Sequence, residues 1–256
     1  MRSSVLARAV LVPGVAALVG VATTAPPAVA ASGAQHARPN ANVNFFDMGC
    51  KSGFLLHQGK RVYVAITASC TALPLDEGKL QNGCRAATAP LGTPARVAGA
   101  KRRAILVYNS FTRMQGTGVK RHNLCDFNDL ALLKLAKHDA KRARGGIPGL
   151  SAPTSVSKQG PKSGSTVSFG EATATAGDIK HNGWVYELSA TPSVDGTDVG
   201  TPVTHGGLLY GMLTAIPQGS VSQTPATVYN VDRAIRYARQ MHKFRHLKLL
   251  AAGKKV

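Results

Sequence analysis

Asn128-Asp129-Leu130-Ala131-Leu132-Leu133-Lys134-Leu135 sets a single acid ahead of an almost unbroken apolar run. The run from Leu130 to Leu135 is short and reads as a strand. Upstream the pattern repeats. Ser52 to Leu56 and Val62 to Thr67 are apolar stretches on either side of the turn Gln58-Gly59-Lys60, which reads as a hairpin. Arg103 to Tyr108 is a further strand. Downstream the rhythm breaks: Lys137 to Pro148 is charged, then glycine-rich, and marks a boundary. The rhythm resumes with Ser165 to Phe169, Trp184 to Leu188, Val203-Thr204 with Leu208 to Leu213 around Gly206-Gly207, and Thr227 to Tyr229. Only the end reads as helical. Asn230 is an N-cap, Asp232 stands in the first turn, and Val231, Ala234, Ile235, Ala238 and Met241 share a face. The expected layout is all-β in two halves, followed by a helix. The halves fall at 45–140 and 151–229, with a basic and glycine-rich linker at 141–150 and a basic helix at 230–250.

Of 256 residues, 44% are hydrophobic and 17% charged. That balance is globular and excludes disordered, collagen-like, coiled-coil and multi-span membrane chains. Aromatics make up 5%, which leaves few rings for base stacking. Lys and Arg number 31 against 12 Asp and Glu, for a net charge of +19. The opening reads as an address. Arg2 and Arg8 accompany a mostly small or apolar stretch, Ala9 to Ala25, and Ala28-Val29-Ala30 is a small-x-small cleavage pattern. Residues 1–30 are expected to be a signal peptide. An uncleaved anchor is the alternative, disfavoured by Pro26-Pro27 and the small residues before the site. Residues 31–44 are polar and aperiodic and are expected to form a flexible lead-in. No later run reaches the ~20 apolar residues that span a bilayer. The expectation is a secreted, soluble protein of an oxidising compartment, in which four cysteines form disulfides by one of three pairings. The Ala-, Gly- and Arg-rich text is compatible with a bacterium of high genomic GC.

Three segments, in order, resemble the trypsin-like (chymotrypsin-fold) serine protease family, most closely its secreted bacterial branch. Cys50-Lys51-Ser52-Gly53-Phe54 with Ala65-Ile66-Thr67-Ala68-Ser69-Cys70 is similar to C-S-x-G-F … T-A-G-H-C. Asn128 to Leu135 is similar to D-I-A-L-L-K-L, and Thr197-Asp198-Val199-Gly200-Thr201-Pro202-Val203 resembles G-D-S-G-G-P-V. Lys162 to Val167 resembles the opening strand of the family's second barrel, Leu208 to Leu213 its pocket-wall strand, and Val228 to Ile235 the run into its terminal helix. The resemblance implies two packed six-stranded antiparallel β-barrels with a cleft between them and a C-terminal α-helix. It also implies the disulfide Cys50–Cys70, with Cys84–Cys125 as the second pair.

The same resemblance places the catalytic triad, and two of its three positions are substituted. Acyl transfer needs a nucleophile, a base and an orienting group. The histidine position falls on Ser69, whose hydroxyl is not basic near neutral pH. The nucleophile position falls on Val199, which has no side-chain heteroatom. Asp129 alone is retained, and it is expected to be a buried acid satisfied by hydrogen bonds, Ser69 among the donors. The oxyanion-hole positions are Thr197 and Val199, where a β-branched residue resists the angles that glycine supplies. Thr201 replaces a further glycine. Asp198, whose family counterpart pairs with a buried cation, is expected to be structural. Ser193 falls at the pocket floor and by itself reads as a loop serine. His57, His122, His181 and His205 read as solvated surface residues. No Cys/His pair has ligand spacing, so neither metal nor other cofactor is expected.

Basic residues gather in three groups: Arg96 with Lys101, Arg102 and Arg103; Lys137, Lys141, Arg142 and Arg144; and Arg236, Arg239, Lys243, Arg245, Lys248, Lys254 and Lys255. Each alone reads as solubilising surface. Together they favour attraction to an anionic envelope polymer or membrane surface. No nucleic-acid motif is present. Past Met241 the cations alternate with Phe244, Leu247, Leu249 and Leu250, which reads either as an amphipathic surface binder or as a helix packed on the second barrel. The expected function is that of a secreted, monomeric pseudoprotease. It would bind extended peptides by strand addition, or anionic envelope material. The alternative is an active serine-type endopeptidase with a relocated nucleophile and base.

Overall fold

The structure is a computed structural model that describes residues 36–46, 48–73, 82–147, 153–170, 172–189, 194, 196–214, 226–254 and 256. The expected signal peptide at 1–30 and the pocket-floor residue Ser193 lie outside the described residues.

The first half contains β1 (Asn42–Phe45), β2 (Met48–Lys51), β3 (Phe54–Gln58), β4 (Arg61–Ile66), β5 (Pro94–Val97), β6 (Ala104–Asn109) and β7 (Ala131–Lys134). They form an antiparallel sheet in the order β3-β4-β7-β6-β5-β1-β2. β2 and β3 are halves of one bent segment joined by Ser52-Gly53. One half pairs with β1 and the other with β4, so this segment borders both ends of the sheet and curls it into a barrel. Gly53 is required at the bend, where a Cβ would run into the Met212 thioether. β3, β4 and β7 are buried on both faces, whereas β1 and β5 alternate exposed and buried residues. Leu55, Val64, Leu106 and Leu133 belong to one apolar cluster, and Leu56, Tyr63, Tyr108 and Leu132 to a second. Two buried faces explain why Leu130 to Leu135 is nearly continuous in apolar residues rather than alternating.

Three short helices interrupt this half: α1 (Ser110–Gly116), α2 (His122–Phe127) and α3 (Lys137–Arg142). The sequence pattern foretold none of them, because six or seven residues hold too few turns for a 3.6-residue period to show. The expected lead-in and linker are also corrected. Ala37 and Ala41 are buried, Asn40 N donates to Ser52 O at 2.6 Å, and β1 begins inside the segment read as flexible. Ala143 and Ile147 are buried too, and Arg144 N donates to Ala37 O at 3.0 Å. The backbone groups of both stretches find partners in each other and in the bent strand, so neither is a free connector.

The second half contains β8 (Ser155–Val156), β9 (Thr166–Phe169), β10 (Ala172–Lys180), β11 (Val185–Ser189), β12 (Pro202–His205), β13 (Leu208–Leu213) and β14 (Ala226–Asn230). Six of these run in the order β12-β9-β10-β11-β14-β13, and β12 pairs back onto β13 to close the ring. Gly206 and Gly207 turn that hairpin with φ of +56° and +77°, the left-handed pair a two-residue turn favours. The architecture is therefore all-β with two antiparallel barrels, as the sequence led one to expect.

A helix follows, α4 (Val231–Arg239), capped by Asn230 Oδ1, which accepts from the N–H groups of Asp232 and Arg233. It ends well short of the expected residue 250. Met241 is extended, and the Arg239 guanidinium donates to Leu247 O, which folds the tail back. The tail then adds β15 (Lys248–Leu249) to the edge of β3. Phe244 packs edge-on against Tyr63 and Tyr108, and Leu247 and Leu250 are buried. Of the apolar residues read as a surface-binding face, or as a helix on the second barrel, Leu250 is core of the first, and Phe244 and Leu247 are buried in a cluster that the first barrel shares with α4 and with Val185, Leu209, Met212 and Tyr229 of the second.

Candidate functional site

The 3-10 turn Ser69–Thr71 follows β4, and the segment before β7 brings Asp129 against it. Ser69 N donates to Asp129 Oδ1 at 2.7 Å, and Ser69 Oγ donates to Oδ2 at 2.9 Å. The Thr214 hydroxyl donates to the same Oδ2 at 2.7 Å from the second barrel, just past β13. Ser110 holds the acid in place from behind: its Oγ donates to Asn128 O and accepts from Leu130 N at 3.1 Å. Asp129 is 2% exposed and Ser69 8%. Burial pushes the Asp129 carboxyl above the ordinary carboxylate value. Hydrogen bonds from Ser69, Thr214 and the Ala68 main chain oppose that push.

This corner joins two of the three positions that the resemblance assigns to the triad. The third, Val199, is carried by a separate turn. A 3-10 segment at Gly196–Asp198 leads to Val199, which is 7% exposed and belongs to the same apolar cluster as Cys50 and Cys70. Its carbonyl accepts from Lys51 N at 2.8 Å. Gly200 follows with φ +93°, where a Cβ would strike the Lys51 carbonyl, so glycine is required by both angle and space. Gly200 N donates to Leu213 O and Leu213 N to Thr201 O, both at 2.9 Å. The turn is thus stitched to the first barrel at β2 and to the second at β13. Thr197 is exposed, Asp198 half-buried and Thr201 buried. Neither Thr197 nor Val199 adopts a positive φ.

The histidines lie elsewhere. His57 is on β3, in register with Val62 and Lys248. His122 Nδ1 lies 2.7 Å from Asp126 Oδ2, with its side chain 85% exposed. The His181 ring stacks at a tilt 4.3 Å from Phe127, and His205 is exposed at the end of β12. Among the described residues, the Asp129 carboxylate takes hydrogen bonds from Ser69, Thr214 and the Ala68 main chain, and no imidazole is among the donors. The carboxylate therefore orients hydroxyls and a main-chain N–H rather than a base. Thr214 was not legible in the sequence. It stands alone after a strand, and no motif marks it. Both disulfides, Cys50–Cys70 and Cys84–Cys125, are formed.

No protein-family model matches the sequence, and no curated protein does. Solved structures do. Protease A of Thermobifida fusca superposes with a TM-score of 0.52 at 13% identity, covering 85% of this chain and 100% of its own. An α-lytic protease homologue, N4, gives 0.53 at 14%, covering 79% of this chain and 97% of its own. A Nocardiopsis protease gives 0.50 at 12%, covering 84% and 98%. The chain therefore has the fold of the bacterial trypsin-like serine proteases. At these identities the likeness is one of architecture, and activity must be argued from the site itself.

Proposed function

We propose that this chain is a secreted pseudoprotease: a serine-protease fold that acts by binding and not by hydrolysis. One observation carries the reading. The retained acid at the triad position spends its lone pairs on Ser69 and Thr214, and Ser69 stands where a base would be needed. A hydroxyl bonded to a carboxylate cannot accept a nucleophile's proton near neutral pH, and Val199 offers no nucleophile to donate one. Two disulfides suit an oxidising compartment outside the cell.

Binding is directed at anionic envelope material in preference to extended peptide. Charge supports that choice. Beyond the excess of +19, Lys101, Arg102, Lys137, His138 and Lys141 line a single surface cavity of about 590 Å3. The buried tail changes how this is tested. Deleting the tail from 241 would remove Phe244 and Leu247 from the cluster shared by the two barrels and Leu250 from the core of the first, so lost binding after truncation would report unfolding. The decisive experiment is exposure of the purified protein to a serine-directed fluorophosphonate, with the intact mass read alongside a reactive protease control. No adduct is expected. A stoichiometric adduct would overturn the reading in favour of an active endopeptidase, and mapping the modified hydroxyl would give its nucleophile.

A further inference from the structure

A second concavity shares no residue with the Asp129 corner. It holds about 580 Å3, inside the range of roughly 300–1,000 Å3 typical of organic-ligand sites. One wall is α4. Arg233, Arg236, Tyr237 and Gln240 line it, a single stripe of the helix, while Val231, Ala234, Ile235 and Ala238 turn inward. The facing wall is Val119, Lys120, Arg121 and Leu124, from the connection into α2 and its first turn. Trp184, at the start of β11, completes the lining. Among the described residues, four cations line the groove beside Val119, Leu124 and Trp184, and no carboxylate does. The nearest acid on α4, Asp232, is paired with Arg236 at 2.9 Å. Lys120 and Arg121 are fully on the surface.

We propose that this groove binds a segment of an acidic polysaccharide, carboxylated, sulfated or phosphorylated, lying along α4 between its arginines and the Lys120-Arg121 wall. The inference rests on the binding half of the reading above and is independent of whether the chain hydrolyses peptides. Three features select this ligand class. The groove is concave, with Leu124 buried and Val119 and Trp184 half-buried while Lys120, Arg121 and Arg236 are exposed, so it admits a strand and not a membrane surface, which needs protruding apolar groups. One face of each aromatic ring is already taken, and both rings pack on the apolar core: the Arg233 guanidinium lies 5.5 Å over Trp184, and Arg113 lies 4.4 Å over Tyr237. Nucleic-acid bases would need those faces open for stacking. What remains available is charge at the rim and polar edges such as Gln240, which suits the repeated anions and hydroxyls of an acidic sugar chain.

Trp184 is the chain's one tryptophan, so its emission reports on this groove alone. The full-length secreted protein is titrated with a heparin-derived hexasaccharide at low and high salt. The expected result is a saturable change in Trp184 emission whose affinity falls with salt. The double variant Lys120→Glu/Arg121→Glu, on exposed positions, should weaken binding about ten-fold or more. Lys158→Glu/Lys162→Glu makes the same charge change at exposed positions outside both basic cavities and should alter affinity less than about two-fold. Matching circular dichroism spectra confirm that both variants fold. Equal losses in the two variants would overturn the groove while leaving a diffuse anionic attraction. A neutral hexasaccharide binding as tightly, or a single-stranded oligonucleotide binding more tightly with the same variant sensitivity, would overturn the acidic-sugar assignment. No binding by the wild-type chain would overturn this inference together with the anionic-binding reading.

Discussion

Asp129 and Asp139 belong to the same half of the molecule and are buried to the same extent, each 2% exposed. Their surroundings differ in kind. Asp139 sits in the first turn of α3 and accepts from the main-chain N–H groups of Lys101 and Arg102, both at 3.0 Å. It clasps the tip of the β5–β6 hairpin to a helix of its own barrel, among exposed cations. Asp129 takes its donors from two barrels, Ser69 from the first and Thr214 from the second. The first carboxylate is a local clasp and the second a strut between halves. An acid that the resemblance places at a catalytic position thus has a structural reason to persist in this chain that requires no catalysis.

The comparison yields an ordered set of expectations. Asp129→Ala should cost the most, about 3 kcal/mol, because it strands the buried Ser69 N–H and two hydroxyls. Asp139→Ala should cost about 1–2 kcal/mol, since the N–H groups it frees belong to exposed residues and can turn to water. Urea denaturation of the two variants ranks them, and the reverse order breaks the distinction between strut and clasp. Thr214→Val removes one of the two hydroxyl donors at nearly constant shape and should cost about 1 kcal/mol. An unchanged midpoint for this variant would mean that the link between the barrels carries no energy.

pH sharpens the contrast further. The folded-state pKa of Asp129 is raised above its ordinary value of 3.8, chiefly by burial. The folded protein therefore holds this proton more tightly than the unfolded chain does. Its contribution to stability is full below 3.8 and is lost as pH rises through the folded value. Asp129→Asn should remove that part of the decline, seen as a flatter stability profile above pH 3.8 in denaturation series. A profile parallel to wild type would show that the carboxyl does not titrate as its burial demands. The smallest effect is local. In Asp139→Ala, hydrogen exchange should quicken at the Lys101 and Arg102 amides and stay unchanged at Ser69.

Much of this was legible in the residues. The strand runs around Leu55, Val64 and Leu132 and the Asn230 cap could be read because strand and cap signals are local. The resemblance at Cys50, Ser69, Asp129 and Val199 led to the fold and to the substituted triad positions. Other features were not legible, for physical reasons. Helices α1, α2 and α3 are too short to show a period. The tail's apolar residues specify burial without naming the surface that buries them, which is a cluster shared by both barrels and α4 for Phe244 and Leu247, and the first barrel for Leu250. Thr214 acquires its role only when the second barrel brings its hydroxyl to Asp129.

Taken alone, the sequence determined the two-barrel class, the cysteine pairs implied by the resemblance, the absence of a heteroatom at Val199 and the surplus of positive charge. These are properties of residue type and local pattern. Tertiary structure decided which groups meet across large separations: Ser69 with Asp129, Asp129 with Thr214, and Lys120-Arg121 with the arginine stripe of α4. Hydrogen bonds act over about 3 Å. Whether two distant residues come within that reach depends on strand order and packing, which no local pattern encodes.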